Sequence, residues 1–235
     1  MTEFVDQDLS GALFNRCDLS GAVMRGVITD GLDIDSPWLS EGGSTLVVNG
    51  VDVTAYVEEE LGRRFPGYAE RNATDPAGLV TAWARAEAAW NAAIADAPRD
   101  LVEVGVDGEW SFAQTLRHLV MATDVWLRGA VLGIAEPYHP IGLPYAEFAS
   151  DGHDTSVFMT EVPSYDEVLR VRAERVALVR DYLATATSEL LAETRPHPWA
   201  PQRQVTVRHC LHTVLGEEWA HLRYARRDRE KVAQR

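Results

Sequence analysis

The sequence contains little cysteine and no long apolar run, and each shortage excludes a class of protein. Cys17 and Cys210 are the only cysteines in 235 residues and lie far apart, so we expect neither a disulfide framework nor a cysteine zinc site. No run of about 18 apolar residues is present, and the first residues lack the basic-then-apolar order of a secretory signal. We therefore expect a cytoplasmic protein that has no membrane partner.

Basic residues are also scarce, since 36 acids outnumber 22 bases and the net charge is −14. This charge opposes the phosphate backbone of nucleic acid, so we expect no nucleic-acid partner. Most of the excess lies in residues 1–61, which contain twelve acids and two bases. Residues 62–235 contain twenty-four acids and twenty bases and are nearly balanced. The acidity therefore belongs to the N-terminal quarter of the chain.

A five-residue period runs through the first thirty or so residues. Large apolar residues occupy every fifth position, as Phe4, Leu9, Phe14, Leu19 and Met24. A period of five fits neither a helix nor a strand and resembles a pentapeptide-repeat β-coil, whose large residues point inward; chance repetition in a segment rich in Gly and Asp is the alternative. At about one and a half turns, such a coil is too short to bury its own faces. It is also too short to imitate a DNA duplex.

A short connecting segment follows the repeat. Asn49-Gly50 is a hairpin signal within an alternating apolar run, and an amphipathic helix is expected over about 53–64. We assign residues 1–67 to a first domain that contains the coil, the hairpin and this connection. Residues 68–235 form the second domain.

From residue 74 onward, apolar residues recur at helical spacing and predict four long helices. Residues suited to helix capping precede them, namely Asp75 with Pro76, Ser111 with Gln114, Ser164 with Glu167, and Thr206. The predicted helices span about 76–97, 111–132, 164–194 and 206–231. The fold class expected is therefore mainly α, an antiparallel four-helix bundle preceded by the coil and hairpin.

Two proline-containing links interrupt the predicted helices. Residues 133–163 form a connection of 31 residues, which is long for a link within a compact domain. It contains several aromatic residues, which favours a packed lid with a functional role. A second link, residues 195–201, precedes the last helix. Both links are expected over the same mouth of the bundle.

Glu217 and His221 are the strongest candidates for chemistry, because residues four apart on a helix meet on one face. Both lie on the inward stripe, where an ionised glutamate needs a metal, an arginine or a histidine as its partner. On spacing alone, an ion pair between Glu217 and His221 explains this arrangement as well as metal binding does. His118 lies on the second predicted helix. A lone histidine there is more often a buried core residue than a metal ligand.

Other residues offer weaker alternatives. Glu218 and His221 form a Glu-x-x-His motif of the kind found in di-iron bundles, but the sequence has no second copy. His209 and His212 are expected to be polar or half-buried rather than ligands. Cys210 is expected to be an inert core thiol.

The helices that carry these residues resemble those of the DinB superfamily. Residues 109–120 with Trp126 are similar to its second helix, and residues 216–228 resemble its fourth helix in an actinobacterial branch that also has an N-terminal pentapeptide segment. The resemblance implies a four-helix bundle with a divalent metal held by one ligand from the second helix and two, four apart, from the fourth. In the mycothiol-dependent maleylpyruvate isomerase group the ligands are His, Glu and His. This pattern implies metal ligation by His118, Glu217 and His221.

One position departs from the common DinB pattern. Many members have two adjacent histidines, and the second is Leu222 here. A ligand frame shifted by one residue would pair Glu218 with Leu222, and leucine binds no metal. The departure therefore supports the Glu217 and His221 frame.

Three nitrogen and oxygen ligands leave one open position, as in catalytic zinc sites. The resemblance implies zinc as the divalent metal, mycothiol as co-substrate and a small-molecule electrophile that enters beneath residues 133–163. The function expected is a metal-dependent thiol S-transferase or isomerase. Alternatives are a metal-dependent hydrolase that needs no thiol, and a non-enzymatic metal-binding or stress-response protein whose bundle forms a homodimer.

Overall fold

Residues 3–233 are described in the computed structural model of the protein, and the chain divides into two units, Met1–Ser36 and Pro37–Arg235. Residues 37–67, with the hairpin and the first helix, are grouped with the bundle helices. The domain boundary expected after residue 67 stays a prediction.

The N-terminal unit is built from backbone turns. Every fifth residue has a positive φ, at Asp6, Gly11, Arg16, Gly21, Gly26 and Gly31. The large apolar residues of the repeat are nevertheless between 45% and 64% exposed. This exposure agrees with the expectation that so short a coil cannot bury its own faces, and the inward direction of these residues stays a prediction. The pentapeptide-repeat coil as a whole stays a prediction.

The second unit contains the hairpin and the helices. A 3₁₀ turn (Glu41–Gly43) precedes strands β1 (Val47–Val48) and β2 (Val51–Asp52), helix α1 (Thr54–Arg64) and a second 3₁₀ turn (Ala69–Asn72). Helices α2 (Pro76–Ala95) and α3 (Phe112–Thr123) follow, and α3 continues into a π-helix (Asp124–Val131). After α4 (Tyr165–Ala184) come α5 (Ser188–Ala192), β3 (Thr194–His197), β4 (Ala200–Thr206) and α6 (Val207–Ala233).

Polar caps begin the long helices where the sequence predicts them. The Asp75 carboxylate accepts a hydrogen bond from the Gly78 amide at 2.9 Å, and Ser111 and Gln114 form both bonds of a capping box. The Thr206 hydroxyl accepts from the His209 amide at 3.1 Å. Because these bonds satisfy amides that have no partner within the helix, they fix the first turn of each helix. The predicted starts of the long helices are confirmed.

The third predicted helix is shorter than expected. It ends at Ala184, and Thr187 caps the separate helix α5. Threonine side chains compete for backbone hydrogen bonds, and the Thr185 hydroxyl donates to the Tyr182 carbonyl at the break. The proline-containing link that follows also differs from a plain loop, because β3 and β4 pair as an antiparallel hairpin.

Four long helices contact one another in the order α2, α6, α3 and α4. Near the start of α6, His212 Nε2 donates to the Ala73 carbonyl, just before the start of α2. Near the end of α6, Arg229 donates to the carbonyls of Ala93 and Asp96 at the end of α2. Helices α2 and α6 are therefore parallel.

Helix α4 is antiparallel to α2, because Asp166 at its start pairs with Arg99 beyond the end of α2 and Arg180 near its end pairs with Glu87. Helix α3 with its π-helical extension is antiparallel to α6, because His118 lies near Glu217 and Trp126 lies near His209. Helices α3 and α4 are therefore parallel to each other. The bundle is therefore only partly antiparallel, and the parallel pair explains why α3 and α4 need a long crossover.

The interior of the bundle is apolar, with side chains such as Trp83, Trp90, Leu116 and Leu222 almost fully buried. The crossover, residues 133–163, adds Ile141 and Phe148 to this core. Rings from the crossover meet Trp199 of the second link, which confirms that the two links pack together. Among residues 3–233, no helix has the length and apolar character needed to cross a membrane.

Candidate metal centre

Two antiparallel helices bring the predicted ligands together. His118 lies in the middle of α3, and Glu217 and His221 occupy successive turns of α6. One potential ligand atom from each residue lies within 4.8 Å of the others. No other such group of three His, Cys, Asp or Glu side chains occurs in the part of the chain that the structure describes.

The distances between these atoms suit a small divalent cation. The Glu217 Oε2 atom lies 3.1 Å from His221 Nε2 and 3.5 Å from His118 Nε2. Ligands about 2.0–2.2 Å from a tetrahedral zinc lie roughly 3.3 Å from one another. The two distances from Glu217 are close to this spacing, and all three ligand atoms lie within 4.8 Å of one another, near enough to surround one ion.

The crossover orients His118. Its Nδ1–H donates to the backbone carbonyl of Leu143 at 3.0 Å, since a carbonyl only accepts. This bond places a ring proton on Nδ1 and directs Nε2 toward Glu217, where it binds a metal once it carries no proton. A backbone carbonyl carries no side-chain signal, so this contact cannot be predicted from the sequence.

Trp110 covers the centre from one side. Its ring lies 4.6 Å from the His118 ring and 5.9 Å from the His221 ring, centroid to centroid. The side chains of His118 and His221 are 11% and 13% exposed, whereas that of Glu217 is 31% exposed. An incoming ligand therefore reaches the centre from the side of Glu217. No helical periodicity marks Trp110 as part of a site, because it precedes α3.

Burial and hydrogen bonding act on the charges in opposite directions. Burial alone would raise the pKa of the Glu217 carboxyl, but hydrogen bonding to the two histidine rings outweighs it and lowers that pKa well below its usual range. Burial also lowers the pKa of His221. An ionised carboxylate and a neutral imidazole are the forms that bind a metal.

Glu218 has a different partner. It is almost fully buried and forms an ion pair with Arg172 of α4, while its backbone carbonyl accepts from Trp90 Nε1 at 3.1 Å. Burial raises the pKa of Glu218, and the Arg172 guanidinium opposes that shift. The Glu-x-x-His alternative is therefore wrong for Glu218, whose carboxylate joins α6 to α4 instead of facing His221.

The remaining candidates also have structural roles. His212 is the partner of the Ala73 carbonyl at 2.7 Å, and the His209 ring lies edge-on to Trp126. Cys210 is completely buried, and burial raises the pKa of its thiol to about 11. These placements agree with the expectation that none of the three is a ligand.

A half-open cavity of about 370 Å³ lies beside Trp110. The ends of α2 and α6 line it together with Phe112 and Thr115. Thr115 lies one turn before His118, and Ala225 in the same wall lies one turn after His221. Space for an organic molecule therefore exists next to the centre, separated from it by the Trp110 ring.

Comparison with known proteins identifies one related family. The family model of the DinB superfamily matches residues 79–225, a range that contains all three candidate ligands. No curated protein and no solved structure matches the chain.

Proposed function

Because the chain belongs to the DinB superfamily, whose members are generally metal-binding, we propose that His118, Glu217 and His221 bind a divalent cation, zinc, for thiol chemistry. The protein joins a low-molecular-weight thiol such as mycothiol to a small electrophile, or uses the thiol to isomerise it. The observation that supports this function is the convergence of two imidazole nitrogens and one carboxylate oxygen beside an accessible edge.

The donor set fits a catalytic rather than a structural zinc. Three protein ligands leave a fourth position, and structural sites have four protein ligands. When bound, zinc lowers the pKa of a coordinated thiol so that thiolate is available near neutral pH.

The residues of the chain supply the rest of the environment. The Leu143 carbonyl holds His118 in the tautomer that presents Nε2, and the Trp110 ring excludes water from one side. Glu217 leaves the opposite side accessible to the thiol. The electrophile enters beneath residues 133–163, because the Trp110 ring separates the cavity at the ends of α2 and α6 from the centre.

The test is consumption of electrophiles by the purified protein with zinc, with and without a thiol. We expect monochlorobimane or a related electrophile to be consumed faster with protein only when a thiol is present, and His221→Ala to abolish the acceleration. His212→Ala is the matched control, because His212 lies on the same helix and bonds to a backbone carbonyl instead of facing the centre.

Two outcomes would contradict thiol transfer. Hydrolysis of test esters or amides with zinc and no thiol would favour the hydrolase alternative. Tight zinc binding without acceleration of any reaction in the panel would favour a non-enzymatic metal-binding protein.

A further inference from the structure

The crossover between α3 and α4 meets the metal centre at residues 141–143. Three hydrogen bonds join this tripeptide to two consecutive residues of α3. Arg117 Nε donates to the Ile141 carbonyl at 2.9 Å, the Leu143 amide donates to the Arg117 carbonyl at 3.2 Å, and His118 Nδ1 donates to the Leu143 carbonyl at 3.0 Å. The carbonyl that orients His118 is thus held in place by its neighbour in the helix.

Arg117 is unusual for a charged residue. It is 7% exposed, and within residues 3–233 it forms no ion pair, so its guanidinium is buried against a backbone carbonyl. Burying a charge in this way is costly unless the hydrogen bonds are well formed. The hydrogen bond to the Ile141 carbonyl and the negative charge of Glu103 offset this cost, and the bond ties α3 to the crossover.

Gly142, in the centre of the tripeptide, shows how tightly the segment fits. A Cβ atom there would lie 3.1 Å from the His139 carbonyl oxygen, 3.1 Å from the Phe158 ring and 3.3 Å from Met121 Cβ. Because two of these neighbours belong to the crossover and one to α3, even a methyl group requires the segment to move. The position of the Leu143 carbonyl is therefore fixed from both sides.

We propose that Arg117 is a positioning residue for the metal ligand His118, acting through residues 141–143 of the crossover. This inference rests on the metal site proposed above. Through this connection the crossover and the metal site are coupled: a change that moves residues 141–143 alters the direction of His118 Nε2 without touching any ligand. Loss of such a supporting contact typically weakens metal binding by about ten- to a hundredfold.

The test is Co²⁺ and Zn²⁺ binding by the full-length protein, with the visible absorption of Co²⁺ as a report of ligand geometry. We expect Arg117→Met to weaken binding of both ions by about ten- to a hundredfold and to shift the Co²⁺ bands. Gly142→Ala moves the same segment by a different route and is expected to change affinity and bands in the same direction. Arg117→Lys restores a donor and should recover part of the affinity.

Arg128→Met is the matched control. Arg128 also bonds to the crossover, from its Nε to the Pro137 carbonyl at 2.8 Å, but no hydrogen bond joins it to residues 141–143. Its ion-pair partner Asp124 keeps a second partner, Arg175, when Arg128 is replaced. We expect Arg128→Met to bind metal as the wild type does, even if its metal-free thermal stability falls as much as that of Arg117→Met.

Three results would overturn the inference. Wild-type affinity and an unchanged spectrum in both Arg117→Met and Gly142→Ala would show that His118 needs no such support. Equal losses in Arg117→Met and Arg128→Met would show that only general stability of the crossover matters. Absence of metal binding by the wild type would instead refute the proposed metal site itself.

Discussion

The two units of the chain are ordered by different kinds of interaction. In residues 3–36, order lies in the backbone, where a positive φ recurs every fifth residue and the amides of Ala12, Ala22 and Leu32 bond to carbonyls three residues earlier. The large apolar side chains of the five-residue repeat remain exposed. In the second unit, by contrast, side-chain packing of α2, α3, α4 and α6 encloses an apolar core. A repeated sequence pattern therefore indicates regular backbone but does not guarantee burial.

The two cysteines provide the largest expected contrast, since each unit contains one. Cys17 is exposed and Cys210 is completely buried, with a pKa raised to about 11 by burial. We expect a thiol reagent at pH 8 to label Cys17 quickly and Cys210 only on unfolding, a difference of at least about a thousandfold given ordinary domain stability. Mass spectrometry of timed samples measures both rates. Fast labelling of Cys210 in a Cys17→Ser variant would contradict the packing of α6.

The next largest effect is expected at the buried ion pair of Arg172 and Glu218. Arg172→Met leaves the carboxylate buried and unpaired, so we expect the free energy of unfolding to fall by about 3–5 kcal/mol. Arg99→Met removes an ion pair with Asp166 in which both side chains are more than half exposed, so it should leave the free energy of unfolding nearly unchanged. Urea unfolding measures both, and similar losses would argue against the buried position of the first pair.

A matched pair of leucines compares the two units directly. Leu79 in α2 is fully buried, whereas Leu19 in the N-terminal repeat is 47% exposed. We expect Leu79→Ala to lower the free energy of unfolding by about 2–5 kcal/mol and Leu19→Ala to change it by no more than about 0.5 kcal/mol. A large loss in Leu19→Ala, measured by the same urea titration, would show that the repeat buries its large residues after all.

The smallest effect concerns the same substitution at two glycines. Gly21 has φ +73° with open space around it, so Gly21→Ala should cost about 1–2 kcal/mol of local stability through backbone strain alone. Gly216 lies within α6 and is also unobstructed, so Gly216→Ala should stabilise the helix by about 0.4–1 kcal/mol.

Amide hydrogen exchange distinguishes these two results. The Ala22 amide bonds to the Leu19 carbonyl at 2.9 Å, and its exchange should become about 5–30-fold faster in Gly21→Ala. An unchanged rate at Ala22 would contradict the left-handed conformation at Gly21.

Local signals in the sequence predict much of the helical unit and less of the links. The capping box at Ser111 and Asn49-Gly50 in the hairpin each specify one local geometry, and the structure shows both. The break after Ala184 is not predicted because the apolar period continues through it to Leu190, whereas the hydrogen bonds of Thr185 and Thr187 end one helix and begin the next.

The metal centre is likewise predicted only in part from the sequence. The spacing of Glu217 and His221 predicts that they share a face of α6, and resemblance adds His118. The carbonyl of Leu143 and the ring of Trp110 come from segments without regular periodicity. Their contributions depend on how the crossover and the start of α3 pack, which no short stretch of sequence encodes.

The most direct test of the metal site is a crystal structure of the zinc-loaded protein with anomalous scattering recorded at the zinc edge. We expect one anomalous peak about 2.0–2.2 Å from His118 Nε2, His221 Nε2 and a Glu217 carboxylate oxygen. We also expect the hydrogen bond from His118 Nδ1 to the Leu143 carbonyl to be retained. A peak bound by other side chains, or the absence of a peak at these three residues under saturating zinc, would contradict the proposed site.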